Sequence, residues 1–127
     1  MLALDFGNAR TGVAVTDASG TVARPLQPIL KAGSSDGMAS IAGIVASHGV
    51  QRVVVGLPVG LQGETQQTDR TRSFAARLRQ RLDVPVELFD ERFTSRMADQ
   101  TTAQTGTGTS RDSLAASHLL TSWMDAR

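Results

Sequence analysis

Cysteine is absent from these 127 residues. That excludes a disulfide framework, a thiol nucleophile and a thiolate-based zinc site. Aromatic residues make up only 4% of the chain, so any core has to be built from Val, Leu, Ile and Ala. No apolar run approaches the ~20 residues needed to span a bilayer. The opening Met1-Leu2-Ala3-Leu4-Asp5 has no basic stretch ahead of a hydrophobic one, so it does not read as a signal peptide. The expectation is a soluble, cytoplasmic protein. Strong charge of one sign is also missing: the net charge is +1, which is no nucleic-acid footprint at the level of the whole chain.

What is present is an ordinary globular balance, 40% hydrophobic and 20% charged, in a length that suits one domain over 1–127. Twelve of the thirteen basic residues are Arg, and five of them fall between Arg70 and Arg81. Arg is the better bidentate phosphate ligand, although a GC-rich genome produces the same bias.

Residues 2–6 form an apolar run that ends around Asp5, and Gly7-Asn8 signals a turn. Thr11–Thr16 alternates through Val13 and Val15, which predicts a hairpin. A third strand is expected over Thr21–Gln27, closed by Pro25 and Pro28. Met38, Ile41, Ile44 and Val45 recur at helical spacing, with His48-Gly49 as the stop. Arg52–Pro58 is continuously apolar around Val53-Val54-Val55, as in a strand buried on both faces. A long helix follows from Gln66 to Leu82, with Phe74, Leu78 and Leu82 on one face. Then come a strand over Val84–Phe89, a helix from Thr94 to about Gln104, a Thr/Gly-rich loop over 105–110, and a last helix from Arg111. The order βββαβαβαα describes an α/β fold in which a three-strand antiparallel meander is extended by two parallel crossover strands.

Three groups of carboxylates sit at informative places. Asp5 ends the first strand, where α/β sheets present residues to a ligand crevice, though Asp before a turn Gly is also a common cap. Asp90 and Glu91 follow a strand and alternate in facing, so only one of them can share a site with Asp5. With Arg92 they also read as a surface ion pair. Asp112 stands at i−3, i−4, i−7, i−8 and i−11 to Ala115, Ala116, Leu119, Leu120 and Trp123, the apolar stripe of the last helix. It therefore heads a packed face, where a charge needs a partner or a metal. It also suits the first turn of a helix capped by Ser110. Three such acids can converge. Hard oxygen ligands favour Mg²⁺ or Mn²⁺, and a pair of ions about 3.5–4 Å apart suits phosphodiester cleavage. His48 and His118 read as structural or exposed.

Four segments together resemble the YqgF/RuvX family. They are Leu4–Ala14 (LDFGNARTGVA), Val53–Pro58 with Gly63, Phe89–Ser95 (FDERFTS), and Arg111–Ala116 with Leu119-Leu120. They occur in order and span nearly the whole chain. Thr11 stands where the family usually has an aliphatic residue. The resemblance implies an RNase H-like fold, a five-stranded mixed sheet flanked by helices. It also implies a nuclease dependent on Mg²⁺ or Mn²⁺ (one or two ions), with Asp5, Glu91 and Asp112 as catalytic acids and metal ligands. Gly7, Asp90 and Thr94 are then supporting residues, and Arg10, Arg92 and Arg111 candidates for gripping substrate phosphates. Family members act in 5′-end maturation of precursor 16S rRNA, or as Holliday-junction resolvases. The expected partner is thus nucleic acid, with the protein a monomer or homodimer. Readings of other classes are a catalytically silent RNA-binding protein and a relative of one actin-like ATPase lobe.

Overall fold

Alternation and turn chemistry assemble the sheet. In a computed structural model, residues 1–7, 9–16, 22–59, 63–90 and 111–125 are described, the side chains of Arg111, Asp112 and Asp125 excepted. Strand β1 (Leu2–Asp5) pairs antiparallel with β2 (Arg10–Thr16), which pairs antiparallel with β3 (Ala23–Leu30). Helix α1 (Ser35–Ser47) leads to β4 (Val53–Leu57), which lies parallel to β1. Helix α2 (Gln66–Arg81) leads to β5 (Val86–Asp90), parallel to β4. Helix α3 (Arg111–Asp125) closes the described chain. The sheet order is β3-β2-β1-β4-β5, so the meander and the parallel extension are both as expected. The helix expected over 94–104 and the loop over 105–110 lie outside the described residues.

The sheet is covered on both faces, which is why β4 is apolar throughout. Leu2, Leu4, Val13, Val15, Val53 and Val55 point toward α1 and α2, meeting Met38, Ile41, Phe74 and Leu78. Ala3, Ala14 and Val54 point the other way, against Ala116, Leu119, Leu120 and Trp123 of α3. The small residues on this second face let α3 approach the sheet closely.

Local chemistry fixes the helix ends. Ser34 caps α1, its Oγ accepting from the Gly37 N–H, and Gly49 takes the left-handed φ of +60° after the helix stops. Thr65 and Thr68 form a reciprocal capping box at the start of α2. The Thr68 hydroxyl also donates to the Pro58 carbonyl, and Gln67 Nε2 donates to the Phe6 carbonyl at 3.4 Å. These contacts tie the head of α2 to the carboxyl ends of β4 and β1.

The third strand departs from expectation. It runs three residues further than Gln27 and contains both Pro25 and Pro28. Proline is tolerated because β3 is an edge strand, where one side of the backbone has no ladder partner. The register between β2 and β3 slips between Thr11 and Val13: Thr11 faces Ile29 and Val13 faces Leu26. Gln27 and Pro28 therefore oppose the single residue Gly12, a β-bulge.

Candidate active site

The bulge at Gly12 organises one end of the molecule. Gly12 is the register partner of Asp5, and the next rung pairs Leu4 with Val13. On the other side of Val13 lies Leu26. The hydroxyl of Ser113, in the first turn of α3, engages both members of that Val13–Leu26 pair. It accepts from the Val13 N–H at 3.3 Å and donates to the Leu26 carbonyl at 2.5 Å. Ser113 is fully buried, so the beginning of α3 is pinned to the sheet one rung from Asp5.

Asp5 is the last residue of β1 and is half-buried. It shares its face with Ala3, the face covered by α3. Its carboxylate makes no hydrogen bond or ion pair with any described residue. The neighbours on that face are glycines. Gly12 lies opposite Asp5 in β2. Gly56 follows Val55, the partner of Leu4 in β4, and has the facing of Val54. An in-strand glycine marks a place where a ligand or another backbone comes close. Here two of them flank an unpartnered carboxylate.

The other expected residues fall as follows. β5 presents Glu87 and Phe89 to α3, while Val86 and Leu88 face α1 and α2. Asp90 has the facing of Val86 and Leu88, away from Asp5. Glu91, Arg92 and Thr94 lie outside the described residues. Asp112 and Arg111 belong to the first turn of α3, immediately before Ser113, and their side chains are not described. Arg10 is exposed at the start of β2 and alternates with Gly12 and Ala14 onto the α3 face. Gly7 is required sterically: a Cβ there would fall well inside contact distance of the Arg10 carbonyl oxygen. Within the described residues, then, one of the three expected acids is seen with its side chain.

Ser113, Gly12 and Gly56 were not singled out in the sequence. The glycines carried a signal, since each interrupts an apolar strand without any turn. Ser113 carried one too: it lies three and seven residues ahead of the buried Ala116 and Leu120, so it is the side chain seen to head the packed face. His48 caps α1 with its backbone N–H. His118 is half-buried on α3, its Nε2 has no partner, and burial lowers its pKa. Among the described residues neither histidine contacts Asp5.

A protein-family model covers residues 1–126: RuvX, described as Holliday junction resolvase. The chain belongs to the RuvX family. A relative in Chloroflexus aurantiacus, named "Putative pre-16S rRNA nuclease", is 41% identical over all of this chain and 87% of its own length. One of the same name in Desulforudis audaxviator is 36% identical over all of this chain and 94% of its own. Among solved structures, Thermus thermophilus RuvC in complex with Holliday junction substrate superposes with a TM-score of 0.60 at 13% identity, covering 99% of this chain and 96% of that one. At that identity the likeness shows the fold, which is RNase H-like. As a RuvX member the chain is a nuclease, acting on phosphodiester bonds in nucleic acid. Among the described residues no helix is long and apolar enough to cross a membrane.

Proposed function

We propose that Asp5, Glu91 and Asp112 hold one or two Mg²⁺ or Mn²⁺ ions at a phosphodiester of precursor 16S rRNA, near its 5′ end. The observation that carries this reading is the Asp5 carboxylate. It is half-buried, without a partner among the described residues, set between Gly12 and Gly56, and one rung from the pair that pins the start of α3. A charge in that position calls for a counter-charge. Strand alternation carried one residue past Asp90 would give Glu91 the facing of Glu87 and Phe89, and position 112 directly precedes the Ser113 anchor. Both would add acid to the same face.

The donor set fits the group. Carboxylate oxygens suit hard divalent cations, and nucleases of the RuvC-like kind generally use such metals. A divalent ion there supplies Lewis-acid stabilisation of a phosphoryl oxygen and a more acidic water. The rest is done by the chain. The paired strands on both sides of β1 fix Asp5, the two glycines leave space for a phosphate beside it, and Arg10 offers a guanidinium on the same face. Arg92 and Arg111 are the further candidates for flanking phosphates, and Gly7 keeps the β1–β2 turn tight enough to present Arg10.

The RNA reading follows the names of the full-length relatives and would place the protein in the cytoplasm with the assembling ribosome. A second reading, cutting of four-way DNA junctions, is favoured by the family's description. It requires a two-fold dimer to cut two strands together, whereas the RNA reading is compatible with a monomer or homodimer. The test is incubation of purified protein with precursor rRNA and with a four-way junction, with and without Mg²⁺ or Mn²⁺, alongside Asp112→Asn. Metal-dependent cleavage of the rRNA, lost in the variant, is the expected result. Cleavage of the junction alone would move the assignment to the second reading. Equal activity of the two proteins would remove Asp112 from the site.

A further inference from the structure

By helical spacing Arg70, Arg77 and Arg81 form one stripe of α2 and Arg72 and Arg79 another, but the fold gives these arginines different work. Arg72 pairs with Glu64. Arg79 is fixed by donation to the Val86 carbonyl at 3.0 Å. Arg77 donates to the Gly33 carbonyl, a neutral acceptor that leaves its charge uncompensated. Arg81 is exposed and makes no contact with a partner among the described residues. Arg77 and Arg81 line one open groove of about 420 Å³ between α1 and α2, together with Ser35, Met38 and Gln80. The nearest acid of α1 in sequence, Asp36, pairs with neither of them.

This groove lies on the sheet face opposite α3, and it is linked to the carboxyl-end rim by short contacts. The Lys31 N–H donates to the Ala9 carbonyl at 3.0 Å, just before Arg10. Gly33, two residues after Lys31, is the residue Arg77 holds. Arg10, Lys31, Arg77 and Arg81 thus follow one another from the β1–β2 turn, past the β3–α1 turn, into the groove. An open groove with two uncompensated guanidinium groups fits an extended polyanion better than an enclosed small molecule.

We propose that the α1–α2 groove takes backbone phosphates of the nucleic-acid strand at a distance from the bond that is cut. The strand leaves the Asp5 end over the β1–β2 and β3–α1 turns and lies along Arg77 and Arg81. This rests on the chain's acting on nucleic acid, but not on which residues cut it.

The test is binding of fluorescently labelled single-stranded RNA and DNA to the full chain in chelator, followed by anisotropy over a salt series. Each phosphate contact on a single strand contributes about 0.7 to the slope of log affinity against log salt. Arg77→Gln with Arg81→Gln should weaken binding several-fold at low salt and make the slope shallower by roughly 1.4. Arg81→Gln alone breaks no internal contact and should remove about 0.7. Arg72→Gln, on the same helix, should leave the slope as it is. Because the chain lacks cysteine, Gln80→Cys also gives a unique attachment point for a photocrosslinker. It should crosslink to the strand, whereas Ser47→Cys at the other end of α1 should not. A wild-type slope in the double variant, or no crosslink from position 80 under binding conditions, overturns the proposal. The groove's charge would then be a solvated face or a seat for an acidic protein segment. Loss of the groove effect with metal-dependent cleavage intact refutes only this inference. A groove effect without any metal-dependent cleavage refutes only the proposed function.

Discussion

Helix α3 lies across the sheet with one end at Asp5 and the other at the amino ends of β4 and β5, and the two ends are built on opposite plans. At the amino ends of β4 and β5 the polar side chains that meet α3 are paired with one another. Trp123 Nε1 donates to Glu87 Oε2 at 3.1 Å, Arg52 pairs with Glu87 Oε1 at 3.5 Å, and the Arg52 guanidinium lies 5.5 Å from the centre of the Trp123 ring. Large side chains fill the space. At the Asp5 end glycines stand in place of side chains (Gly12, Gly56), the strand pairing is interrupted by a bulge, and the carboxylate has no partner among the described residues. One end holds the helix and the other holds it open. Unsatisfied or irregular features in an otherwise consistent fold tend to mark the functional region.

That contrast can be broken from either side. The largest expected effect on stability is at the holding end. Trp123→Ala should cost about 3–5 kcal/mol by denaturant unfolding, while the remaining folded protein keeps its cleavage rate. If cleavage falls much more than folded fraction, the two ends are not separable. Ser113→Ala comes next. It strips the hydroxyl from buried Val13 N–H and Leu26 carbonyl groups, at about 1–3 kcal/mol, and should lower cleavage per folded molecule because the start of α3 loses its anchor. A pure stability loss would show that the anchor does not position the site.

Gly12→Ala puts a methyl opposite Asp5 on the α3 face. Its predicted signature is reduced cleavage with the far-UV circular dichroism unchanged; full activity would mean that the space beside Asp5 is not used. The smallest effect is a gain. Thr11 is fully buried with an unpartnered hydroxyl, which explains why an aliphatic residue suits this position. Thr11→Val should raise stability by up to about 1 kcal/mol without altering cleavage, since Thr11 faces away from α3. A loss of activity there would place the hydroxyl in the site after all.

Much of this architecture is legible in the sequence because it is written in periodicities. The continuous apolar run Val53-Val54-Val55 requires cover on both faces, and the spacing from Ala116 to Trp123 requires a helix on one of them. Gly49 marks a helix end by backbone chemistry alone. The β3 boundary is harder to see, because the proline rule applies to central strands and an edge position is a property of the whole sheet. The bulge is invisible for the same reason: it exists only in the pairing of Gln27 and Pro28 with Gly12. The site is legible by residue type and not by geometry. Alternation separates Asp90 from Glu91, but only the register shows that the facing of Glu87 and Phe89 is also that of Asp5. Nothing in the chain near Ser113 announces Val13 and Leu26, which lie 100 and 87 residues away.

The central claim is that Asp5, Glu91 and Asp112 form one metal site. Calorimetric titration of Mn²⁺ into the wild type and into Asp5→Asn, Glu91→Gln and Asp112→Asn tests it most directly, with cleavage measured on the same samples. Each variant should stay folded, bind Mn²⁺ far more weakly and lose cleavage by roughly a hundredfold or more, the scale on which one fixed electrostatic stabiliser counts. Wild-type Mn²⁺ affinity and cleavage in any one of the three would contradict the account.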